Sequence, residues 1–219
     1  MTYEFTAKGL EIQESVKSFM DDFIYPNEEE FYEEYHSLDD HNASPPILDK
    51  LKAAARERGL WNLFIPHLDP QAPGTKLSNV DYAPISEELG KVTFASEALN
   101  CSAPDTGNME VLERVGTKEQ KEKWLKPLLA GEIRSAYAMT EPNVASSDAK
   151  NISTSAKLVG DEWVINGEKY YISGAGDPRC KIMIVMVKTN PDAQPSKQQS
   201  QILVPIDTPD VEIHGPMHV

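Results

Sequence analysis

Up to Gly131 the apolar positions recur at helical spacing, and beyond it the period shortens to about two. Ile12, Val16, Phe19 and Phe23 form one apolar stripe that is expected to stop at Pro26. Ser44 reads as an N-cap before Pro45, with Leu48, Leu51 and Ala55 continuing a second face until Gly59 offers a stop. Tyr82, Ile85 and Leu89 mark a third helix between Ser78 and Gly90, with Pro84 inside it, and a fourth is expected after Pro104. A fifth opens with Thr117-Lys118-Glu119-Gln120, whose spacing lets residues 117 and 120 cap each other's backbone amides.

From Arg134 onward "RSAYAMT", "ISTSAKLV", "EWVING", "KYYIS", "CKIMIVMV", "SQILVPI" and "VEIHG" read as strands. Gly160-Asp161 and Asn166-Gly167 are expected to be tight turns, the latter of type I′. "NPDAQPSKQQSQ" reads as an exposed loop between two strands. Helices first and strands second predict an α+β chain. Residues 1–132 would form an all-α helical domain and residues 133–219 an antiparallel β-barrel or sandwich. The last segment ends on a strand or the turn after it, which leaves a sheet edge or face needing cover. Either the strands close on themselves or the chain is the front part of something longer.

With 219 residues, 40% hydrophobic and 26% charged, the composition is that of a globular chain able to bury a core. A formal net charge of −14 repels phosphate backbones and anionic lipid, so a nucleic-acid groove is not expected. Residues 21–40 concentrate the acid and contain no Lys or Arg, which reads as a solvated helix face. Cys101 and Cys180 fit buried thiols in a reducing compartment. No membrane span and no targeting signal are read, which makes a cytoplasmic location the default.

Several apparent motifs carry little chemistry. "SGAGDP" lacks the third glycine and the helix start of a dinucleotide fingerprint. Ser146-Ser147-Asp148 has no nucleophile elbow around it. His36, His41, His67, His214 and His218 read as surface or internally satisfied residues, and no metal is expected. What remains is two polar platforms, 137–148 and 169–176, each with an aromatic followed by a hydroxyl: Tyr137 with Thr140, and Tyr171 with Ser173. On a strand, Tyr171 and Ser173 would share a face. Such a pair suits a planar heteroaromatic ring of flavin shape, and equally suits a half-buried hairpin whose hydroxyls cap turns.

"AYAMTEPNVASSD" resembles the first signature of the flavin-dependent acyl-CoA dehydrogenase family, an aromatic and small residues, Thr-Glu-Pro, then Gly-Ser-Asp. "WVINGEKYYISGAG" is similar to that family's following hairpin, and "GTKEQKEKWLKPLLAGE" to the helix before the signature. "TEPxVASSDAxNI", "GAGDPRCKI" and "NCSAPDTGNMEVL" resemble the long members, ten and eleven.

The resemblance implies FAD as cofactor and an acyl-CoA thioester as substrate. It places Tyr137, Met139 and Thr140 along the pyrimidine edge of the flavin, Tyr171 against its face, Ser173 near N5 and Ser147 toward the acyl-CoA. Glu141 and Pro142 are expected to set the turn. The signature departs from the family by an additional residue and no glycine at Ala145-Ser146-Ser147, and by Tyr in place of Trp at 171.

In the family the catalytic base lies on a C-terminal helical bundle, expected to be missing here, so no catalytic residue is assigned and the chain alone is expected to be inactive. The sheet face covered by that bundle is expected to be open, a large apolar patch. Electron-transfer flavoprotein or oxygen would be the electron acceptor, the complete protein would be a homo-oligomer, and mitochondria or peroxisomes become alternatives to the cytoplasm. Two other readings stand beside this one: a non-catalytic interaction or regulatory protein keeping the fold, and a flavin oxidase or monooxygenase on the same scaffold.

Overall fold

The computed structural model describes residues 4–217. The chain divides into two units, Met1–Glu132 and Ile133–Val219. The first contains α1 (Ala7–Phe19), α2 (Glu28–Ser37), α3 (Ile47–Glu57), α4 (Asn79–Leu89), α5 (Ala95–Ala98), α6 (Asp105–Val115), α7 (Lys118–Gln120) and α8 (Lys126–Ala130). A π turn, Lys121–Leu125, joins the last two.

Helix starts in this unit are chemically explicit. Thr6 caps α1 by accepting the Gly9 amide at 3.0 Å, and Ser78 caps α4 by accepting the Asp81 amide at 3.1 Å. The buried Asp81 carboxylate joins the two starts, accepting from the Thr6 amide (2.8 Å), the Thr6 hydroxyl (3.0 Å) and the Ser78 hydroxyl (2.9 Å). The Thr6 amide, with the hydroxyls, holds its carboxyl below the ordinary carboxylate range. Glycine at position 9 permits this contact, because a Cβ there would lie 2.3 Å from Asp81 Oδ1. The reciprocal Thr117–Gln120 capping box opens α7.

Two expectations change. The Ile12–Phe23 stripe does not stop at Pro26: a π turn at Met20–Ile24 and a 3-10 turn at Tyr25–Asn27 carry the chain into α2. The wider turn rotates the register, so Met20 and Ile24 are buried while Phe23 is half-buried, stacked on Phe19 at 5.1 Å under the Arg58 guanidinium. Ser44 does not cap α3. The Ile47 amide donates to Glu34 Oε2 at 2.6 Å instead, so a carboxylate from α2 takes that role.

The carbonyls at the C-terminus of α8 are met by side chains distant in sequence, that of Leu128 in addition to the Gly131 amide. Trp61 Nε1 and Asn62 Nδ2 each donate to the Leu129 carbonyl at 2.8 Å, Asn100 Nδ2 to that of Leu128 at 2.9 Å, and Arg56 to that of Ala130 at 2.7 Å. Asn62 and Asn100 both adopt left-handed backbone, φ 51° and 54°, a conformation asparagine tolerates better than most residues. Cys101 is buried beside them with its thiol accepting the Leu63 amide, and burial pushes it up to about 12.

The second unit is a five-stranded sheet of β1 (Arg134–Ala138), β2 (Ser155–Val159), β3 (Glu162–Asn166), β4 (Cys180–Lys188) and β5 (Gln199–Pro205). β4 is central and buried at Ile182, Met183, Ile184 and Val185, so both faces are covered, as its unbroken apolar run demands.

The sheet is mixed rather than antiparallel. β5 and β3 pair antiparallel to β4 and β2, but β1 pairs parallel to β4, from Arg134↔Cys180 to Ala138↔Val185, and β2 meets β4 through a parallel bridge at Ser155↔Lys188. Parallel neighbours need a long crossover, and residues 139–179, holding the β2–β3 hairpin, supply it.

Three local expectations fail. Gly160-Asp161 does turn the hairpin, with Gly160 at φ +62°, but Asn166-Gly167 does not. A Cβ on Gly167 would lie 2.3 Å from Thr154 Oγ1, so this glycine serves close approach. "KYYIS" is not a strand, because Tyr171 takes left-handed backbone at φ +55° and turns follow it. Residues 211–217, containing "VEIHG", are also without strand. Exposed large apolar side chains of this unit stand on the β2–β3 hairpin, Leu158 and Trp163 on one face and Val159 and Val164 on the other, and at Tyr171, Ile213 and Met217, while the sheet centre on β4 is buried.

Candidate functional site

Beyond β1 the chain makes a tight excursion through Thr140-Glu141-Pro142. The Glu141 amide donates to Ser146 Oγ at 2.7 Å, which closes the 141–146 loop around small residues. Asp148 then caps the 3-10 turn Ala149–Asn151. Ser146 is buried by this role and Ser147 is left exposed.

Glu141 is almost fully buried, 3% exposed, with both carboxylate oxygens engaged. Oε2 accepts from the Ser153 amide (2.7 Å) and hydroxyl (2.6 Å). Oε1 accepts from the Thr154 amide (3.0 Å) and from Lys169 Nζ (2.7 Å). Burial alone would raise this carboxyl, but the Lys169, Ser153 and Thr154 hydrogen bonds outweigh it and set it at about 2. Lys169 Nζ also donates to the Met139 carbonyl at 2.8 Å. Its ammonium is held below the usual lysine range by burial, against the pull of Glu141.

Next to this pair, the Thr140 hydroxyl donates to the Tyr170 carbonyl at 2.6 Å and the Tyr170 amide donates to the Thr140 carbonyl at 2.9 Å. The rings of Tyr170 and Tyr171 meet edge to face, centroids 4.4 Å apart, and Tyr171 is 50% exposed. Between these loops lies an open depression of about 310 Å³, lined by Thr140, Pro142, Ala145, Ser147, Tyr170 and Tyr171 among others. That volume is at the small end of the ~300–1,000 Å³ usual for small-molecule sites. It has room for a ring system.

Of the six residues singled out from sequence, Thr140, Ser147 and Tyr171 come together around the depression, and Tyr137, Met139 and Ser173 are not in its lining. Tyr137 stands on β1 with its hydroxyl accepting from Gln201 at 3.0 Å, Met139 contributes its carbonyl to Lys169, and Ser173 is exposed in a turn. Tyr171 and Ser173 do not share a strand face, since no strand forms there. Sequence reasoning missed Lys169 and Tyr170. The signal available was local: a lysine and a second aromatic immediately before Tyr171, in a segment facing Thr-Glu-Pro.

Among the described residues no group of His, Cys, Asp or Glu could hold a metal ion. His214 and His218 are four apart, but the chain is not helical at 211–217, and His218 lies outside the described residues. No described helix is long and apolar enough to cross a membrane.

Residues 6–132 match the model of the acyl-CoA dehydrogenase N-terminal domain, and residues 136–219 that of the acyl-CoA dehydrogenase middle domain. The chain belongs to the acyl-CoA dehydrogenase family. It is 49% identical over 217 residues to "Probable acyl-CoA dehydrogenase FadE2" of Mycobacterium tuberculosis, covering 97% of this chain and 51% of that protein. It is 50% identical over 218 residues to human "Acyl-CoA dehydrogenase family member 11", covering 98% of this chain and 27% of that protein.

A solved structure described as an acyl-CoA dehydrogenase of Mycobacterium abscessus superposes with a TM-score of 0.87 at 47% identity, over 94% of this chain and 52% of that one. An acyl-CoA dehydrogenase of Bacillus anthracis solved with FAD matches at a TM-score of 0.66 and 28% identity, over 93% and 32%. PigA, solved with FAD and proline, matches at 0.72 and 25%, over 95% and 50%. The chain therefore spans about half, or less, of the family members it resembles.

Proposed function

We propose that these two domains form the front part of an FAD-dependent acyl-CoA dehydrogenase, with the loops after β1 and β3 carrying the polar edge of the flavin. The observation that supports this most is the convergence of Thr140, Ser147 and Tyr171 on one depression in a chain of this family. The residues present fit a flat, polar-edged ring: an exposed tyrosine face on one side, hydroxyls on another, and no bulky side chain from Ala145 to Ser147. Thr140 keeps its proton on the Tyr170 carbonyl, so it would meet a ring N–H as an acceptor. Tyr171 would cover a ring face and Ser147 would face the thioester.

FAD, when bound, would accept the hydride from the acyl β-carbon. The chain's own residues bind and orient in this reading, and the base that removes the α-proton lies elsewhere. Glu141 is not that base: its oxygens are occupied by four donors, and at about 2 it is far too weak to take an α-proton. In the whole protein the partners would be acyl-CoA, an electron-transfer flavoprotein or oxygen as acceptor, and further copies of the chain. A second reading, a flavoprotein acting on a different substrate, draws support from the PigA match, where the same fold accompanies FAD and proline.

The test is the visible spectrum of the purified chain after incubation with FAD and desalting. Retained flavin, lost in Tyr171→Ala, supports the assignment, and retained flavin that is indifferent to Tyr171→Ala overturns it. With FAD and acyl-CoA supplied, no steady reduction of a dye acceptor is expected, and sustained turnover would overturn the view that the base lies outside these domains.

A further inference from the structure

The depression is built on a connection that sequence proximity does not reveal. Thr140 sits between Met139, whose carbonyl holds Lys169, and Glu141, whose carboxylate holds Lys169 from the other side. Tyr170 follows Lys169 directly and is the residue Thr140 bonds through both its hydroxyl and its carbonyl. The same carboxylate fixes the amides of Ser153 and Thr154. One buried group therefore ties three segments, 139–141, 153–154 and 169–170, and the first and third run directly into the two walls of the depression, 140–147 and 170–171.

Tyr171 has little else to fix it: it is half exposed, its backbone is left-handed, and its ring meets the neighbouring Tyr170 ring. A left-handed bulky residue persists when its surroundings impose it.

We infer that Glu141, paired with Lys169, is a positioning residue that holds the Thr140 rim and the Tyr170–Tyr171 wall in the geometry able to receive a flat polar ligand. This rests on the reading of the depression as a ligand site. Charge and donor count both matter. Glutamine at 141 has the right shape, but it turns one acceptor oxygen into an NH₂ facing amide N–H groups or an ammonium, so part of the clamp must open. Arginine at 169 keeps a cation with several donors, whereas methionine keeps bulk and loses the tie.

The experiment is amide hydrogen exchange on the 219-residue chain and its Glu141→Gln, Lys169→Met and Lys169→Arg variants, alongside FAD titration followed by flavin fluorescence polarisation. In Glu141→Gln and Lys169→Met, exchange at the Tyr170 amide should rise about tenfold while amides of β4 between Ile182 and Val187 stay within about twofold of the parent. Lys169→Arg should restore protection. FAD affinity should fall about tenfold in the first two variants and recover in the third.

Unchanged exchange at Tyr170 in both disruptive variants overturns the inference, whatever FAD does. So does exchange that rises equally throughout β4, which would make Glu141 an ordinary structural member. A local rise at Tyr170 in a chain that never binds FAD upholds the clamp and overturns the flavin reading instead.

Discussion

In each unit a buried carboxylate staples segments far apart in sequence, Asp81 in the first and Glu141 in the second, and the two are stabilised differently. Asp81 sits where α1 and α4 begin, takes its hydrogen bonds from Thr6 and Ser78, and none of its hydrogen bonds comes from a cation. The positive ends of two helices favour a negative charge at that place. Glu141 has loops around it and no helix start, and it draws on the Lys169 ammonium as well as two amides and a hydroxyl. A buried charge in a helical unit can lean on backbone dipoles, while one among sheet loops needs a counter-ion, and so leaves a second buried charge to be satisfied. Each site also has a glycine that makes room, Gly9 against Asp81 and Gly167 against Thr154.

The sharpest contrast is expected on truncation. Glu141→Ala strands the Lys169 ammonium and should cost about 3–5 kcal/mol in urea unfolding; a loss as small as that at Asp81 would erase the distinction. Acid comes next. Glu141 titrates at about 2 in the folded chain against an ordinary 4.5, so its contribution is present above about 4.5 and is lost as pH falls from there toward 2. The size is on the order of 3 kcal/mol, reduced because burial works against the Lys169 charge. Stability measured from pH 6 to 2 should decline less steeply in Glu141→Gln, and parallel curves would exclude this source.

Smaller effects follow at the packing glycine and the helix caps. Gly167→Ala should cost about 1–3 kcal/mol by crowding Thr154, and an unchanged melting temperature would show that Thr154 yields freely. Asp81→Ala should cost about 1–2 kcal/mol, the scale of a lost cap, and a loss above 3 would mean that the helix ends offer less support than argued. Gly9→Ala should cost about the same as Asp81→Ala, about 1–2 kcal/mol, because the added Cβ would lie 2.3 Å from Oδ1 of a carboxylate that Thr6 and Ser78 hold in place; an unchanged melting temperature would show that Asp81 is free to move aside.

What could be seen in the sequence was whatever depended on neighbours within a turn. The helix between Ser78 and Gly90, the Thr117–Gln120 box and the Gly160-Asp161 hairpin turn rest on residues close in sequence, and each is present. Asn166-Gly167 misled because the glycine answers to Thr154, and "KYYIS" misled because Tyr170 is bonded to Thr140 thirty positions earlier. The parallel β1–β4 pair was hidden for the same reason, since nothing local in either strand records which way its neighbour runs. At the site, Thr140, Ser147 and Tyr171 were reachable through family likeness. The Glu141–Lys169 pair was not, because twenty-eight residues separate its members.

The two cysteines give the molecule a use that has nothing to do with flavin. Each unit holds one, Cys101 among the helices and Cys180 at the start of β4, both buried and free of disulfide. A thiol held at about 12 carries almost no thiolate at neutral pH, so Cys101 resists alkylating reagents while its unit stays closed. Reagent uptake, resolved by which peptide carries the label, would then time the opening of each unit separately in an unmodified chain, with the two thiols serving as independent clocks.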